Sequence, residues 1–286
     1  METDAEGPER PGFMQRSALK RLRKAARRPD GEPLTPEDWQ VLWELDHRLS
    51  NRVIQGVWRH LPGPPRCRMC KAPFGGIGRF AARPLGFRPS RKNPSMCSMC
   101  VELSPPGGAK MRTGVLFADV RGFTRDSEHA DPEDVSRVLR RFYGCAESAL
   151  FPEAIIDKLI GDEVMALYLE PILCDRDIPQ LMVDHAGALL RAVGYGSADG
   201  PFLEVGVGID FGEAFVGNIG QRDVYDFTAI GDVVNTAARL QGEAGGGQIV
   251  IAERAGSSAE GERIVVELKG KDQPVPARRI TVTPTA

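Results

Sequence analysis

Apolar positions follow two different patterns on either side of about residue 113. From Thr113 onward, apolar runs of strand length alternate with segments in which apolar residues recur every three or four positions, as on one face of a helix. Earlier in the chain, Pro, Gly and charged residues interrupt every apolar stretch. We therefore expect a basic tail at 1–35, a short helical segment at 36–62, a cysteine module at 63–103, a linker at 104–112 and a main domain at 113–286.

Within the main domain the pattern predicts an α+β fold. A helix is expected to begin at Asp131, which suits a helix cap and is followed by Pro132. Ile160-Gly161-Asp162 predicts a tight hairpin turn. The order of elements indicates a mixed sheet with its helices on one face. The other predicted elements are helices at Ile178–Val193 and Val233–Gln241 and strands at Gly114–Val120, Ala154–Leu159, Glu163–Leu169, Leu203–Asp210 and near Ile249, Ile264 and Arg279.

Composition supports a protein that folds in water. The 286 residues are 42% hydrophobic and carry a formal net charge of −2. No run of about 18 apolar residues appears, and the amino terminus lacks the apolar stretch of a secretory signal, so we expect a cytoplasmic protein with no membrane span. Residues 16–28 carry seven Lys or Arg and no acid. Such a run is usually a solvated tail; contact with an unidentified nucleic-acid or lipid partner is the alternative.

Four of the six cysteines form two close pairs, which indicates a metal site. The pairs are Cys67/Cys70 and Cys97/Cys100, and each has the C-x-x-C spacing of a zinc site. A structural zinc ion would supply folding free energy to a segment with little core of its own. An iron–sulfur cluster and a redox dithiol pair are the alternatives.

Two aspartates indicate a site for phosphoryl chemistry. Asp119 ends a buried strand in the motif F-A-D-V-R-G-F-T at 117–124, and Asp162 lies on the predicted hairpin. Magnesium takes oxygen ligands, usually one or two carboxylates together with substrate phosphates. A third motif, T-A-I-G-D-V-V-N-T-A-A-R-L at 228–240, places Asn235 and Arg239 four apart on one helix face. An arginine there suits a developing phosphate charge.

Together the three motifs resemble the catalytic domain of class III adenylate and guanylate cyclases, over about residues 111–284. The resemblance implies a ferredoxin-like mixed and antiparallel sheet. It also implies that Asp119 and Asp162 hold two magnesium or manganese ions per active site, with the carbonyl of Val120 assisting. The turn at Gly122, Phe123 and Thr124 would then contact substrate phosphates.

The same resemblance assigns the remaining substrate contacts. Lys158 matches the lysine that reads the base, and Thr228 stands where many adenylate cyclases carry Asp. Asn235 matches the residue that orients the ribose, and Arg239 the one that stabilises the transition state. Lys269 resembles the lysine that contacts the terminal phosphates.

Lysine paired with a hydroxyl suits the acceptor and donor of adenine, so the sequence favours ATP over GTP. In the family the aspartates and the Asn/Arg pair of one site come from two domains, so this chain is expected to act as a head-to-tail homodimer. The alternative is a noncatalytic signalling or nucleic-acid-binding protein in which a degenerate cyclase fold serves for dimerisation.

Overall fold

The computed structural model describes residue 58 and residues 60–68, 70–101, 107–128, 130–173, 175–221 and 224–282. The predictions for the basic tail and for most of the 36–62 segment lie outside these residues. The chain divides into two compact units. The first extends to Lys110 and includes Phe215–Ala229, and the second comprises Met111–Ala214 and the chain from Ile230 onward.

An eight-stranded mixed sheet is the main feature of the fold. The strand order is β2-β3-β1-β4-β6-β8-β7, with β5 paired to β4. Strand β4 runs parallel to β6, whereas β3 is antiparallel to both β1 and β2, and β8 to both β6 and β7. The predicted α+β class is confirmed. The strands are β1 Gly107–Val120, β2 Ile155–Ile160, β3 Glu163–Leu169, β4 Val205–Gln221, β5 Val224–Ile230, β6 Gln248–Ala252, β7 Glu262–Val266 and β8 Val275–Thr281.

Five α-helices are present among the described residues. The longest begins as predicted, with Pro132 in its first turn and the Asp131 carboxylate accepting a hydrogen bond from the Glu133 amide at 2.7 Å. No described helix is both long enough and apolar enough to cross a bilayer. The helices are α1 Gly78–Ala82, α2 Phe123–Ser127, α3 Pro132–Leu150, α4 Ile178–Val193 and α5 Asp232–Glu243, and short 3-10 turns cover Arg83–Leu85 and Glu253–Ala255.

The helices cover both faces of the sheet, which corrects the expectation of a single covered face. Helices α3 and α4 pack with Ile249 and Ile251 of β6 in the larger core, whereas α5 packs with Val250 and Ala252 in a second core. Successive strand residues point to opposite faces, so α5 lies on the other side. Gly208 makes this packing possible, because a Cβ there would lie 2.1 Å from the backbone nitrogen of Gln241.

Strand β1 begins seven residues earlier than the pattern predicts, within the segment 104–112 that was expected to be a linker. Its glycines are required by close backbone contact rather than by flexibility. A Cβ on Gly108 would lie 2.3 Å from the carbonyl oxygen of Val216, and one on Gly217 would lie 2.1 Å from that of Gly107. Strand β4 likewise continues past Asp210 to Gln221 and is followed by β5, which the apolar pattern did not indicate.

Candidate active site

Asp119 and Asp162 lie together at one end of the β1–β3 pair. Asp119 is the penultimate residue of β1 and pairs with Glu163 at the start of β3. Asp162 occupies the turn between β2 and β3, and its carbonyl oxygen accepts a hydrogen bond of 3.4 Å from the Val120 amide. The strand end and the hairpin therefore bring the two carboxylates to the same place, as the sequence suggested.

Burial and neighbouring charges both perturb the carboxylates at this end of the β1–β3 pair. Burial raises the pKa of Asp119, and the charge of Asp162 raises it further, while Arg121 opposes both effects. The pKa of Glu163 is also raised, first by burial and then by Asp119 and Asp162. Divalent cations bound by these oxygens would relieve the repulsion between the carboxylates. A half-buried pair of neighbouring carboxylates that remains accessible to solvent fits magnesium or manganese.

Two further side chains, neither of them predicted from the sequence, hold Asp119 in place. Oδ2 of Asp119 accepts hydrogen bonds from Nη2 of Arg121 at 2.5 Å and from Nε2 of Gln241 at 3.1 Å. Arg121 is the first residue of the turn after β1, two positions beyond Asp119. Gln241 could have been noticed as a polar residue on the apolar side of a predicted helix.

The turn after β1 consists of Gly122 and the start of a short helix. Gly122 has a positive φ of 73°, a conformation that glycine adopts without strain. Helix α2 begins at Phe123, which packs partly buried against the larger core. Thr124 lies in the same helix, and its side chain is outside those described. The amide of Arg121 donates to the carbonyl of Glu204 at 2.7 Å, which fixes the start of the turn.

The two residues expected to read the base lie on strands. Lys158 is on β2 beside a bulge, and its Nζ lies 3.6 Å from Oδ2 of the buried Asp157. Thr228 is on β5 in the first unit and is 7% exposed. Thr228 is thus nearly buried on its strand, whereas the Lys158 side chain is partly exposed.

Helix α5 carries Asn235 and Arg239 one turn apart. Asn235 is exposed and Arg239 is partly exposed. The Arg239 guanidinium packs against the turn after Lys269, since a Cβ on Gly270 would lie 3.3 Å from Nη2 of Arg239. Lys269 itself is exposed. The structure thus brings Arg239 close to the turn that contains Lys269.

Ion pairs fix the amino-terminal end of α5. Asp232 accepts a hydrogen bond from Nζ of Lys271, which is the main reason that the pKa of Asp232 lies below its usual value. Nη1 of Arg254 lies 3.0 Å from the same carboxylate, and Arg254 also binds the fully buried Asp210. These contacts connect α5 to the loop before β8 and to β4. They restrain the helix that carries Asn235 and Arg239.

The other side of α5 faces Asp119 of the same chain. Gln241, which bonds to Asp119, follows Arg239 by two positions, or about 200° around a helix of 3.6 residues per turn. Arg239 and Asn235 therefore point away from the side on which Asp119 lies. Within one chain, α5 separates the carboxylates from the Asn/Arg pair.

The four paired cysteines lie together in the first unit. Their Sγ atoms are all within 4.8 Å of one another, and all four thiols are free. Hydrogen bonding from the other thiols, first from Cys100, lowers the pKa of Cys67, whereas the pKa of Cys100 is raised. Such a buried cluster with one favoured thiolate could bind a metal ion.

The chain thus carries an acidic pair at a strand end and an Asn/Arg pair on a helix face. Residues 109–280 match the family model for the adenylate and guanylate cyclase catalytic domain. The chain belongs to that family.

Curated relatives are longer than this chain. An adenylate cyclase of Anabaena cylindrica is 34% identical over 136 residues, which is 46% of this chain and 27% of the relative. An uncharacterized protein of Mycobacterium tuberculosis is 28% identical over 227 residues, covering 79% of this chain and 37% of the relative. The chain thus spans about a quarter to two fifths of these two relatives.

Solved structures share the fold. The guanylyl cyclase Cya2 is 30% identical with a TM-score of 0.54, and the match covers 63% of this chain and 95% of Cya2. The adenylyl cyclase CyaB from P. aeruginosa is 26% identical with a TM-score of 0.53, and the match covers 60% of this chain and 94% of CyaB.

Proposed function

We propose that this protein is an adenylate cyclase that converts ATP to 3′,5′-cyclic AMP and pyrophosphate at the interface of a head-to-tail homodimer. The observation that supports this most strongly is the paired, mutually repelling carboxylates of Asp119 and Asp162 in a chain that also retains Asn235 and Arg239. A protein that only dimerised through this fold would have no physical need for that set.

The residues divide the chemistry between them. Asp119 and Asp162, with the carbonyl of Val120, hold two magnesium or manganese ions. Bound there, the ions would lower the pKa of the ribose 3′ hydroxyl and neutralise charge on the phosphates. Arg239 donates hydrogen bonds where charge develops at the α-phosphate. Loss of a comparable preorganised donor costs about 2.7–4 kcal/mol of transition-state stabilisation.

Other residues position the substrate. Asn235 orients the ribose, and Lys269 binds the terminal phosphates from the turn against which Arg239 packs. The amides of the turn at Gly122, Phe123 and Thr124 contact the triphosphate.

A preference for ATP follows from the donors and acceptors at the base. The Lys158 ammonium donates to N1 of adenine, and the Thr228 hydroxyl accepts from the N6 amino group. Thr228 can also donate, so we expect weaker rejection of GTP than an aspartate would give. The relative Cya2 is a guanylyl cyclase, which makes GTP the necessary second substrate in any assay.

The geometry of α5 supports the dimer. Because Gln241 directs one side of the helix to Asp119, the Asn235 and Arg239 side of the same helix cannot serve the carboxylates of its own chain. A two-fold dimer would give each pair of carboxylates the Asn/Arg face of the second chain, forming two complete sites.

Mixing inactive variants tests chemistry and assembly together. The purified protein, Asp119→Ala, Arg239→Ala and an equimolar mixture are assayed for cyclic AMP with Mn-ATP and for cyclic GMP with Mn-GTP. We expect activity in the intact protein, loss of two to three decades or more in each variant, and recovery in the mixture to about a quarter of wild type, because half of the dimers carry one good site of two. Absence of turnover in the intact protein would favour the noncatalytic alternative. Activity in each variant alone would refute the shared site.

The cysteine cluster is proposed to hold a structural zinc ion. A tetrahedral site with Zn–S bonds of about 2.3 Å requires sulfur atoms about 3.8 Å apart. The Sγ atoms of Cys70 and Cys97 are 3.6 Å apart, and no two of the four Sγ atoms are more than 4.8 Å apart. Elemental analysis should give one zinc and no iron per chain.

A further inference from the structure

The zinc module and the strand that carries Thr228 belong to the same compact unit, which suggests a connection between metal binding and base recognition. The first unit contains the four cysteines and the β4–β5 hairpin segment, Phe215–Ala229. Thr228 is near the end of that segment. The inference below rests on the proposed role of Thr228 at the base.

The module has little internal structure to hold it without a metal. Among the described residues between 60 and 101, the regular elements are helix α1, one 3-10 turn and two isolated bridges, Arg66 with Pro73 and Pro89 with Cys97. Among its described residues the largest buried apolar side chain is Met96, and Cys67, Cys70 and Cys97 are buried as well. Four thiolates around one ion would therefore supply much of its folding free energy.

The backbone around the cysteines is arranged as tight loops. The amide of Lys71 donates to the carbonyl of Cys67 at 3.0 Å, and that of Cys100 donates to Cys97 at 3.0 Å. The amide of Cys97 donates to Sγ of Cys67 at 3.3 Å. These hydrogen bonds close each C-x-x-C loop and place the Cys97 amide against the Cys67 sulfur atom.

Lys92 joins this module to the hairpin segment. It lies in the loop that leads to Cys97, and its Nζ donates to the carbonyl of Phe227 at 2.7 Å and lies 2.7 Å from Oδ1 of Asp226. The Lys92 side chain is only 16% exposed, so this contact is shielded from water. Phe227 immediately precedes Thr228.

A second contact holds the other strand of the hairpin segment. Nδ2 of Asn218, on β4, donates to the carbonyl of Val101 at 3.4 Å, and Val101 directly follows Cys100. The loop that carries Lys92 is itself braced, because Oδ1 of the buried Asn93 accepts from the Ser95 amide at 2.7 Å. Each strand of the hairpin segment is therefore attached close to a cysteine pair.

We propose that the zinc-loaded cysteine module is a control element that anchors the β4–β5 hairpin through Lys92 and so sets the affinity of the enzyme for its nucleotide. Loss of the metal would loosen the loop that carries Lys92, release the carbonyl before Thr228 and weaken base recognition. Turnover at saturating substrate would change less than KM, because Thr228 contacts the base and not the reacting phosphate.

Hydrogen exchange of the full-length protein tests the anchor without requiring activity. Amide exchange in 215–229 is compared before and after removal of zinc by a thiol-directed chelator, with the metal content measured in each sample. We expect exchange in 215–229 to increase about tenfold, while the strands at 155–169 keep their protection. A tenfold increase in exchange rate corresponds to a modest decrease in the free energy of local opening. Equal exchange with and without zinc would overturn the proposal, as would iron in place of zinc.

Lys92→Met separates the anchor from the metal site. This variant should retain one zinc per chain, exchange faster in 215–229 and raise KM for Mn-ATP about tenfold, and Lys92→Arg should restore much of both properties. The control is Lys71→Met, since Lys71 is in the same module but donates to the carbonyl of Arg68 at 2.8 Å. Unchanged exchange and KM in Lys92→Met would refute the anchor. Zinc-dependent exchange in a protein with no turnover would instead refute the cyclase proposal.

Discussion

Gln241 offers a direct test of how the metal site is built. Its Nε2 donates to Oδ2 of Asp119 at 3.1 Å, and the residue is 6% exposed. Gln241→Met keeps the volume and removes the hydrogen bond. We expect weaker metal binding, because Asp119 loses one of the two side chains that orient it.

The structure limits the size of this effect. Hydrogen bonds to charged groups contribute about 1.5–3 kcal/mol, or a factor of roughly 10 to 150 in binding. The Asp119 side chain is 25% exposed, and Arg121 still binds the same oxygen. Water and Arg121 would therefore compensate in part, which places the expected effect at the lower end, about tenfold. Residues that orient metal ligands usually contribute 10- to 100-fold.

The assay is cyclic AMP production as a function of manganese concentration, together with direct titration of manganese by electron paramagnetic resonance. Gln180→Met is the matched control, since Nε2 of Gln180 donates to Oδ1 of Asp184 at 3.0 Å in α4, outside the site. A folded Gln241→Met protein that binds manganese as tightly as wild type would refute the reasoning.

Two further predictions concern the stability of the fold. Gly208→Ala should prevent α5 from packing, because the new Cβ would meet the backbone of that helix. We expect the free energy of unfolding in urea to decrease by about 3 kcal/mol or more. The control is Gly144→Ala, which has no neighbouring atom within 4 Å and should be neutral or stabilising by up to about 1 kcal/mol. Burial lowers the pKa of His185 below its usual 6.5, although Glu153 opposes this, and its Nδ1 hydrogen-bonds to the hydroxyl of the fully buried Tyr168 at 2.9 Å. The folded state then binds fewer protons at His185 than the unfolded state, so the contribution of His185 to the free energy of unfolding should be complete above pH about 6.5 and decrease as the pH falls below it. Urea titrations of His185→Gln should show a smaller decrease, and an identical pH profile would exclude this contribution.

Local patterns predicted much of the second unit. The apolar period gives α4 with the same bounds as the structure. The turn predicted at Ile160-Gly161-Asp162 places Asp162 correctly, although the structure includes Ile160 in β2 and leaves two residues between β2 and β3. Asp131 and Pro132 mark the start of α3 correctly, since capping depends on neighbours in sequence. Each of these features depends only on residues that are close together in the sequence.

Features that depend on distant contacts were missed. Periodicity shows that α5 has an apolar side but does not show which face of the sheet receives it; Gly208 on β4 decides that. The glycines at the start of β1 suggested a linker, whereas they allow two strands to approach closely. Arg121 and Gln241 are recognised as partners of Asp119 only when β1 and α5 are placed in space.

The position of Gln241 also predicts how one helix serves two sites. In a head-to-tail dimer, α5 would present Arg239 to one site while Gln241, on its other side, positions Asp119 for the second. In the mixture of Asp119→Ala and Arg239→Ala chains, the single complete site takes its carboxylates from the Arg239→Ala chain. Gln241→Met added to that chain should therefore raise the manganese requirement about tenfold, whereas the same change in the Asp119→Ala chain should leave it near the unmodified mixture. Equal effects from both placements would show that Gln241 acts on helix stability and not on the carboxylate that it contacts.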